Sequence, residues 1–366
     1  MLDSRPPYWR AIVVLACLAC RAPDELSIGD GFPRDPGPSI LDVVQVAFDS
    51  ATPRVPLRIV RWTSSTYGDL DATTEQAELF ADVPGLIGVV GHAGSRISLL
   101  ASLVYNARGV PQIVPNATSR RLATAGPWTF RLVPDDGIEG AALAAYALDS
   151  LRLQRITVMY LGDEYGTGLR DGVDSALRAR GLRLADHVLV PSQPCASDDV
   201  AELTSVLARA SIKRAAPEVV ILAVTTPVAA CLARAIATER PGVWFLGADG
   251  VEATRTELGV LPPKVHEKFR TVVFGHSADS ASRLFQARSR RILGRDAFPS
   301  EALTYDGFLL LARAAEATGG SRRAVRRWLE KLGSANPPWQ GVTGPIGFAG
   351  PRHELIRFAA MPGSAP

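Results

Sequence analysis

Short apolar runs alternate with amphipathic segments along this chain, and that alternation is the feature that most constrains its fold. The apolar runs are bounded by turn residues, as is typical of strands buried on both faces of a parallel sheet. Seven of them predict strands, at Leu57–Trp62, Leu86–Gly91, Ile156–Leu161, His187–Val190, Val219–Val224, Val243–Leu246 and Thr271–Phe274. The segments between them predict helices, among them Ile138–Ser150, Gly168–Arg180, Val200–Lys213 and Pro227–Glu239. Such an alternation predicts an α/β fold with parallel sheets.

The predicted strands form two groups, which are separated near Arg131–Gly137. Each group has the size of one doubly wound unit, in which ligands bind at the carboxyl ends of the strands. Beyond Phe274 the pattern is mainly helical, and the tail Gly341–Ala360 returns to extended structure. The helices predicted there are Ser280–Leu293, Glu301–Thr318 and Ser321–Leu332.

Composition and charge exclude several classes of protein. Apolar residues make up 47% of the chain and charged residues 21%, which is the balance of a globular protein rather than a disordered one. The formal net charge is +3, and the arginines are interleaved with acidic residues. One local basic run, Arg322, Arg323, Arg326 and Arg327, has the spacing of a solvated helix face. Without a basic stripe or a recognition motif, no nucleic-acid partner is predicted.

The N-terminus has the pattern of an export signal. Two arginines precede the apolar run Ala11–Ala19, which is shorter than the roughly 20 residues that cross a bilayer. Small and apolar residues precede both Cys20 and Cys17, as in a bacterial lipobox. We expect residues 1–19 to be a lipoprotein signal peptide and Cys20 to be lipidated, with Cys17 as the alternative. An ordinary cleaved signal remains open, and either interpretation places the protein in the periplasm or cell envelope.

The other two cysteines, Cys195 and Cys231, lie deep in the chain. In an oxidising compartment they become candidates for a disulfide. A closed loop of about 36 residues would stabilise the protein by roughly 3–4 kcal/mol in the chain-entropy model. Two separate buried thiols are the alternative.

Local motifs for catalysis or cofactor binding are absent from the sequence. It has no glycine-rich dinucleotide loop after a strand, no phosphate-binding loop and no HExxH or GxSxG motif. The five histidines lack metal-ligand spacing, so we expect loop or surface positions for them. The adjacent acids Asp135-Asp136 and Asp163-Glu164 are interpreted as helix caps or solvated residues. The sequence therefore predicts neither an enzyme nor a bound metal or cofactor.

Several segments, in order and spacing over Leu86–Phe348, resemble the periplasmic leucine/isoleucine/valine-binding family. The segments are Gly88–Ser95, Val110–Ser119, Phe130–Asp136, Gly162–Gly166, Gly247–Gly250, Tyr305-Asp306 and Gly344–Phe348. The resemblance implies an extracytoplasmic protein that captures an amino acid or similar small solute for an ABC-type permease and ATPase complex. A ligand-sensing module that signals to a separate partner is the alternative.

The resemblance also implies a type I periplasmic binding fold. In that fold two doubly wound, Rossmann-like lobes are joined by three crossings of the chain, here expected near Arg131–Gly137, Phe274–Ala278 and Gly341–Pro345. The expected lobes are residues 24–137 with 277–341, and residues 138–276 with 342–366. The ligand would be bound between the lobes and trapped by hinge closure.

Candidate ligand contacts on the first lobe are the positions that match ligand-binding residues of the family that the sequence resembles. Gly94 and Ser95 open a helix after a buried strand, and the family implies that the serine holds the ligand carboxylate; a plain helix cap is the alternative. The loop Asn116-Ala117-Thr118 is implied to meet the amino and carboxyl groups of the ligand, with a simple turn as the alternative.

Three candidate contacts lie on the second lobe. Tyr165 matches an aromatic residue that closes over the ligand, and Asp249 matches the acid that pairs with the ligand ammonium. For Tyr165 the alternative is a packing role, and for Asp249 it is a solvated position in a loop. Thr225 lies where similar proteins often place an aromatic residue, and residues 27–35 lack the usual glycine- and serine-rich turn. Because of these departures, the resemblance does not determine which side chain the ligand has.

Overall fold

The computed structural model describes residues 25–33, 37–51, 56–61, 69–192, 197–275, 279–350 and 355–361. The predicted signal peptide, with Cys17 and Cys20, lies outside these residues, and so does Cys195. Among the described residues, no helix is both long enough and apolar enough to cross a membrane.

The first sheet has five parallel strands in the order β2-β1-β3-β4-β5. Their bounds are Leu26–Asp30 (β1), Leu57–Arg61 (β2), Leu86–Val90 (β3), Gln112–Val114 (β4) and Thr129–Arg131 (β5). The two short strands β4 and β5 were not among the predicted strands. Strand β1 lies between β2 and β3 and is therefore an inner strand of this sheet.

The second sheet has the order β13-β10-β9-β8-β6-β7, with β13 antiparallel to β10 and the other pairs parallel. Its strands are Ile156–Leu161 (β6), Asp186–Val190 (β7), Val219–Ala223 (β8), Trp244–Gly247 (β9), Phe269–Phe274 (β10) and Ile356–Ala360 (β13). Trp339–Gly341 (β11) and Gly344–Ile346 (β12) form a separate hairpin.

Helices cover both sheets. Their bounds are Ile40–Ala51 (α1), Leu70–Asp82 (α2), Ser95–Arg108 (α3), Asp136–Ala145 (α4), Glu164–Arg178 (α5), Asp198–Ala215 (α6), Thr226–Glu239 (α7), Thr256–Gly259 (α8), Pro263–Glu267 (α9), Ser280–Leu293 (α10), Pro299–Thr318 (α11) and Arg322–Glu330 (α12). A 3₁₀ turn at Arg120–Thr124 and a π turn at Tyr146–Ser150 complete the set.

The inner strands of the second sheet are largely apolar because both faces of the sheet are buried there. Successive side chains of a strand point to opposite faces. In β6, Ile156, Val158 and Tyr160 pack into the core shared with α4 and α5, whereas Met159 and Leu161 pack into the core shared with α6 and α7. Burial on both faces requires a continuous apolar run, which is the pattern from which the parallel sheet was predicted.

Helices α4 and α5 approach each other closely because both carry glycine at the contact. A Cβ atom on Gly140 would lie 2.6 Å from the carbonyl carbon of Gly172, and a Cβ on Gly172 would lie 2.4 Å from the Asp136 carbonyl oxygen. Both distances are shorter than van der Waals contact, so a larger residue would separate the helices. This packing fixes α4, whose Glu139 contacts the loop after β9.

The chain crosses between the sheets where the topology changes. The first crossing joins β5 to α4, and the second leads from β10 to α10, which packs on α1 of the first lobe. The third crossing lies later than its predicted position at Gly341–Pro345. That segment belongs to the β11–β12 hairpin, whose Thr343 donates to the buried Asp306 on α11. The chain joins the second sheet at β13.

Two sequence-based assignments of polar residues change in the structure. Asp135 and Asp163 cap α4 and α5 as predicted, accepting hydrogen bonds from backbone N–H groups. Their neighbour Asp136, however, is buried with 1% of its surface exposed, so the interpretation of a solvated residue is wrong there. His92 occupies a loop but is fully buried, with Nε2 3.0 Å from the Tyr105 hydroxyl.

Candidate functional site

A cavity of about 1010 Å³ lies between the two lobes, at the carboxyl ends of their strands. The first lobe contributes Asp30, Gly94 and Asn116 to its lining, and the second lobe contributes Asp249 and the loop that follows it. Its volume is at the upper end of the range of roughly 300–1,000 Å³ that is typical of small-molecule sites. The position matches the ligand edge expected for doubly wound sheets.

On the second lobe, hydrogen bonds from three of its backbone N–H groups to side chains of other elements help to hold the loop after β9. The backbone N–H of Asp249 donates to Glu139 Oε1 at 2.8 Å, and the N–H of Gly250 donates to the Tyr165 hydroxyl at 2.9 Å. The N–H of Glu252 donates to Thr226 Oγ1 at 2.9 Å. These contacts fix the direction of the Asp249 side chain.

Asp249 and Glu139 form a carboxyl pair beneath the cavity. Glu139 is fully buried on α4, and burial raises its pKa well above the usual value, as does the negative charge of the neighbouring Asp249. Burial also raises the pKa of Asp249, to about 6, while hydrogen bonds from Tyr165 and Glu139 oppose the increase. The Oδ1 atom of Asp249 is shielded from solvent and accepts no hydrogen bond from a described donor.

On the first lobe, the N-terminus of α3 lines the cavity at Gly94. Gly94 is the N-cap residue and has φ 88°, a conformation that L side chains rarely adopt. No side chain in the described part of the chain caps this end of the helix, so the first N–H groups of α3 are available to an anion. The first lobe therefore presents a favourable site for a carboxylate.

The other residues predicted on the first lobe support the cavity wall. Ser95 Oγ accepts a hydrogen bond from the Ser119 N–H at 3.2 Å, and the Thr118 carbonyl accepts one from the Asp136 N–H at 2.8 Å. Ala117 is buried in a small apolar cluster. Ser95, Ala117 and Thr118 are not part of the cavity lining.

Asn116 lines the cavity and is fixed in place by helix α11. Its side-chain nitrogen donates to the Ser300 carbonyl oxygen and to Thr304 Oγ1, each at 3.2 Å. Its amide oxygen is the atom left to face a ligand.

Tyr165 and Thr225 on the second lobe have different positions. Tyr165 is half-buried, and its hydroxyl supports Gly250 rather than lining the cavity. Thr225 is the exposed N-cap residue of α7 and also lies outside the lining. Its neighbour Thr226 is buried and bonds to the loop after β9.

Hydrogen bonds connect the lobes on both sides of the cavity. On one side Ser119 Oγ donates to Glu164 at 2.8 Å, and Arg121 contacts the same carboxylate at 3.2 Å. On the other side Ser300 Oγ donates to Glu252 Oε1 at 2.6 Å. These contacts link the two lobes directly.

Sequence reasoning missed two acids at the site. Asp30 ends the inner strand β1 with 4% of its surface exposed, and burial raises its pKa to about 7. Glu139 lies three residues after Asp136, on a helix made otherwise of small and apolar residues. An acid on such a helix is unusual, and this pattern could have identified Glu139 as a candidate site residue. Nothing in the sequence around Asp30 distinguishes it from a loop acid.

Among the described residues, no cluster of histidine, cysteine, aspartate and glutamate has the arrangement of a metal site. Cys231 lies on α7, and the predicted pairing with Cys195 stays a prediction because Cys195 is outside the described residues.

Comparisons with known proteins identify relatives over most of the chain. The model of the family described as "Periplasmic binding protein" matches residues 35–361. A Leu/Ile/Val-binding protein homolog 1 from Brucella suis is 26% identical over 273 residues, which cover 72% of this chain and 68% of the relative. An amino acid binding protein from Pseudomonas aeruginosa is 27% identical over 176 residues, covering 48% of this chain and 45% of the relative.

Solved structures share the fold. An ABC transporter substrate-binding protein from Desulfitobacterium hafniense in complex with Leu has a TM-score of 0.74 at 22% identity, covering 93% of this chain and 98% of that protein. A leucine-binding protein from Thermotoga maritima has a TM-score of 0.75 at 18% identity, covering 92% and 99%. A solute-binding protein from R. palustris in complex with benzoate has a TM-score of 0.74 at 14% identity, covering 93% and 94%.

These likenesses confirm the predicted fold, in which two doubly wound lobes are joined by three crossings. They also confirm the resemblance read from the sequence, because the family match spans both lobes. The chain belongs to the periplasmic binding protein family.

Proposed function

We propose that this protein captures an amino acid or a related small solute between its lobes and delivers it to an ABC-type membrane transporter. The observation that carries the proposal is the Asp249 carboxylate in the wall of the cavity, with an oxygen that accepts no hydrogen bond from a described donor. A shielded carboxylate is stabilised by a cationic group, and an ammonium supplies both the charge and the N–H donors. The relatives named above, which are amino-acid-binding proteins, support the same assignment.

The opposite end of such a ligand fits the first lobe. The uncapped N-terminus of α3 at Gly94 attracts a carboxylate through its N–H groups and the helix dipole. The amide oxygen of Asn116 is a further acceptor for the ammonium. A ligand with both groups therefore contacts both lobes, which is the condition for ligand-driven closure.

We assign supporting roles to Tyr165, Ser95 and Thr118. Tyr165 holds Gly250 and thereby the orientation of Asp249. Ser95 and Thr118 hold the loop after β4 through their contacts with Ser119 and Asp136. These residues would change ligand affinity by positioning the groups that touch the ligand.

A screen of ligand-dependent thermal stabilisation tests the proposal. Purified protein is heated with each α-amino acid and, as negative ligands, with the corresponding deaminated acids. We expect at least one amino acid to raise the Tm, and Asp249→Asn to abolish that response. Asp171→Asn, which removes an exposed acid from the same lobe, should leave it intact. If the Asp249→Asn variant showed the same increase in Tm as the wild-type protein, Asp249 would not be a ligand contact. If no amino acid raised the Tm of the wild-type protein, the proposed function would be refuted.

We further propose that the protein is exported and attached to the membrane by acyl chains on Cys20 or Cys17. The supporting observation is the short apolar run that precedes both cysteines. Mass spectrometry of the membrane fraction should detect a mature N-terminal cysteine with acyl modification. An unmodified mature protein in the soluble fraction would contradict the anchor.

A further inference from the structure

The charges on the cavity wall are unbalanced. Among the described residues, five carboxylates and three guanidinium groups line the cavity. Three of the carboxylates each contact one of the guanidinium groups, in the pairs Asp42–Arg61 at 3.4 Å, Glu252–Arg255 at 2.8 Å and Glu301–Arg295 at 2.7 Å. The two that remain are Asp249 on the second lobe and Asp30 on the first, and neither forms an ion pair with a described residue.

Asp30 is the acid that the proposed function leaves unused. It ends β1, an inner strand that lies between β2 and β3, it lines the cavity, and it is 4% exposed. One carboxylate oxygen accepts a hydrogen bond from the Phe32 N–H at 3.2 Å. Arg61 has an electrostatic effect on Asp30, but its guanidinium group forms an ion pair with Asp42 at 3.4 Å. A buried carboxylate with a single neutral donor is destabilised unless a cation joins it.

The positions of the two acids constrain what can neutralise them. They belong to opposite lobes and face one cavity, so a single ligand between the lobes can reach both. The cavity volume of about 1010 Å³ leaves room for a ligand that extends beyond its amino and carboxyl groups. The structural neighbours bind ligands as different as leucine and benzoate, so the fold does not fix the ligand class.

The geometry points to a ligand with two cationic groups, an α-ammonium at Asp249 and a second cationic nitrogen at Asp30. The inference rests on the proposed function and narrows it to α-amino acids whose side chains end in a cationic nitrogen. A ligand of this class neutralises one unpaired acid on each lobe, and its two ends hold the lobes together. Asp30 is then the residue that selects the side chain.

Isothermal titration calorimetry with matched ligands tests the inference. Lysine is compared with norleucine, which has the same carbon chain without the terminal nitrogen. Arginine and 1,4-diaminobutane report whether the class extends to guanidinium groups and to ligands that lack a carboxylate. Because a hydrogen bond to a charged group contributes about 1.5–3 kcal/mol, we expect lysine to bind at least about tenfold more tightly than norleucine.

The matched protein variants are Asp30→Asn and Glu316→Gln. Asp30→Asn should remove the preference for lysine while norleucine binds as before. Glu316→Gln removes an exposed acid from the far end of α11, the helix whose N-terminus lines the cavity, and should keep the preference. Equal affinities for lysine and norleucine in the wild-type protein, or an unchanged preference in Asp30→Asn, would overturn the inference and leave the proposed function standing. Failure of every amino acid to bind would overturn both.

Discussion

Asp30 is buried and forms no ion pair with a described residue, and this has a measurable effect on stability in the absence of ligand. Burial raises the pKa of this carboxyl from 3.8 to about 7. The folded protein therefore keeps a proton that the unfolded chain releases, and the free energy of unfolding falls as the pH rises between these two values. Replacing Asp30 with asparagine keeps the oxygen that accepts the Phe32 N–H and removes the titrating group.

The magnitude follows from the size of the shift. Each pKa unit corresponds to 1.36 kcal/mol, so the full cost of ionising Asp30 in the folded protein is about 4 kcal/mol. This cost is reached above the folded pKa of about 7. At pH 8 we expect Asp30→Asn to be more stable than the wild-type protein by about 4 kcal/mol, and at pH 5 by roughly 2 kcal/mol. Near pH 3.5, where both states are largely protonated, the difference should be small.

Urea unfolding of both proteins without ligand, at pH values between 4 and 8, measures this difference. Comparing variant with wild type at each pH isolates Asp30 from the other buried acids. Glu316→Gln controls for the loss of one negative charge at an exposed position. A difference that stays constant from pH 5 to pH 8, or a variant less stable than wild type at pH 8, would refute the account of Asp30.

Three further predictions concern the pair beneath the cavity, the helix contact and the cysteines. Glu139→Gln keeps a side-chain oxygen that can accept the Asp249 N–H and should retain amino-acid binding, whereas Glu139→Ala removes this acceptor and should weaken binding about tenfold or more in calorimetry; equal effects would contradict a positioning role for this hydrogen bond. Gly140→Val should lower the free energy of unfolding in urea by about 3 kcal/mol, because the valine side chain would meet the backbone of the facing helix. The control Gly242→Val, at a position with open space around it, should change the free energy of unfolding little. Intact mass under non-reducing conditions should show the loss of two hydrogens from Cys195 and Cys231, and free thiols at both would refute the disulfide.

The strands and helices that the sequence predicts well are those with local signals. Strand β6 was predicted with its observed bounds, because Ile156–Leu161 is a continuous apolar run. Helix α10 was predicted with its observed bounds too, and Asp279 caps its start while Gly294 ends it in the left-handed conformation. The short strand β4 was missed because it spans three residues and includes the polar Gln112, whose burial depends on tertiary hydrogen bonds.

The site was harder to predict than the fold, for a physical reason. Asp249 could be predicted from its place in a family motif, but the residues that control it lie far away in the sequence. Glu139 meets the Asp249 N–H across 110 positions of the chain, and Asp30 faces the same cavity from the other lobe. Whether an acid is paired or unpaired depends on these long-range contacts, which one sequence does not reveal.

The central claim is that a small solute is held between the lobes with its ammonium at Asp249. A crystal structure of the protein with the amino acid that stabilises it most tests this directly. The account predicts the ligand in the cavity between the lobes, with its ammonium nitrogen about 3 Å from a carboxylate oxygen of Asp249 and its carboxylate at the N-terminus of α3. A ligand bound outside this cavity, or one whose ammonium faces away from Asp249, would contradict it.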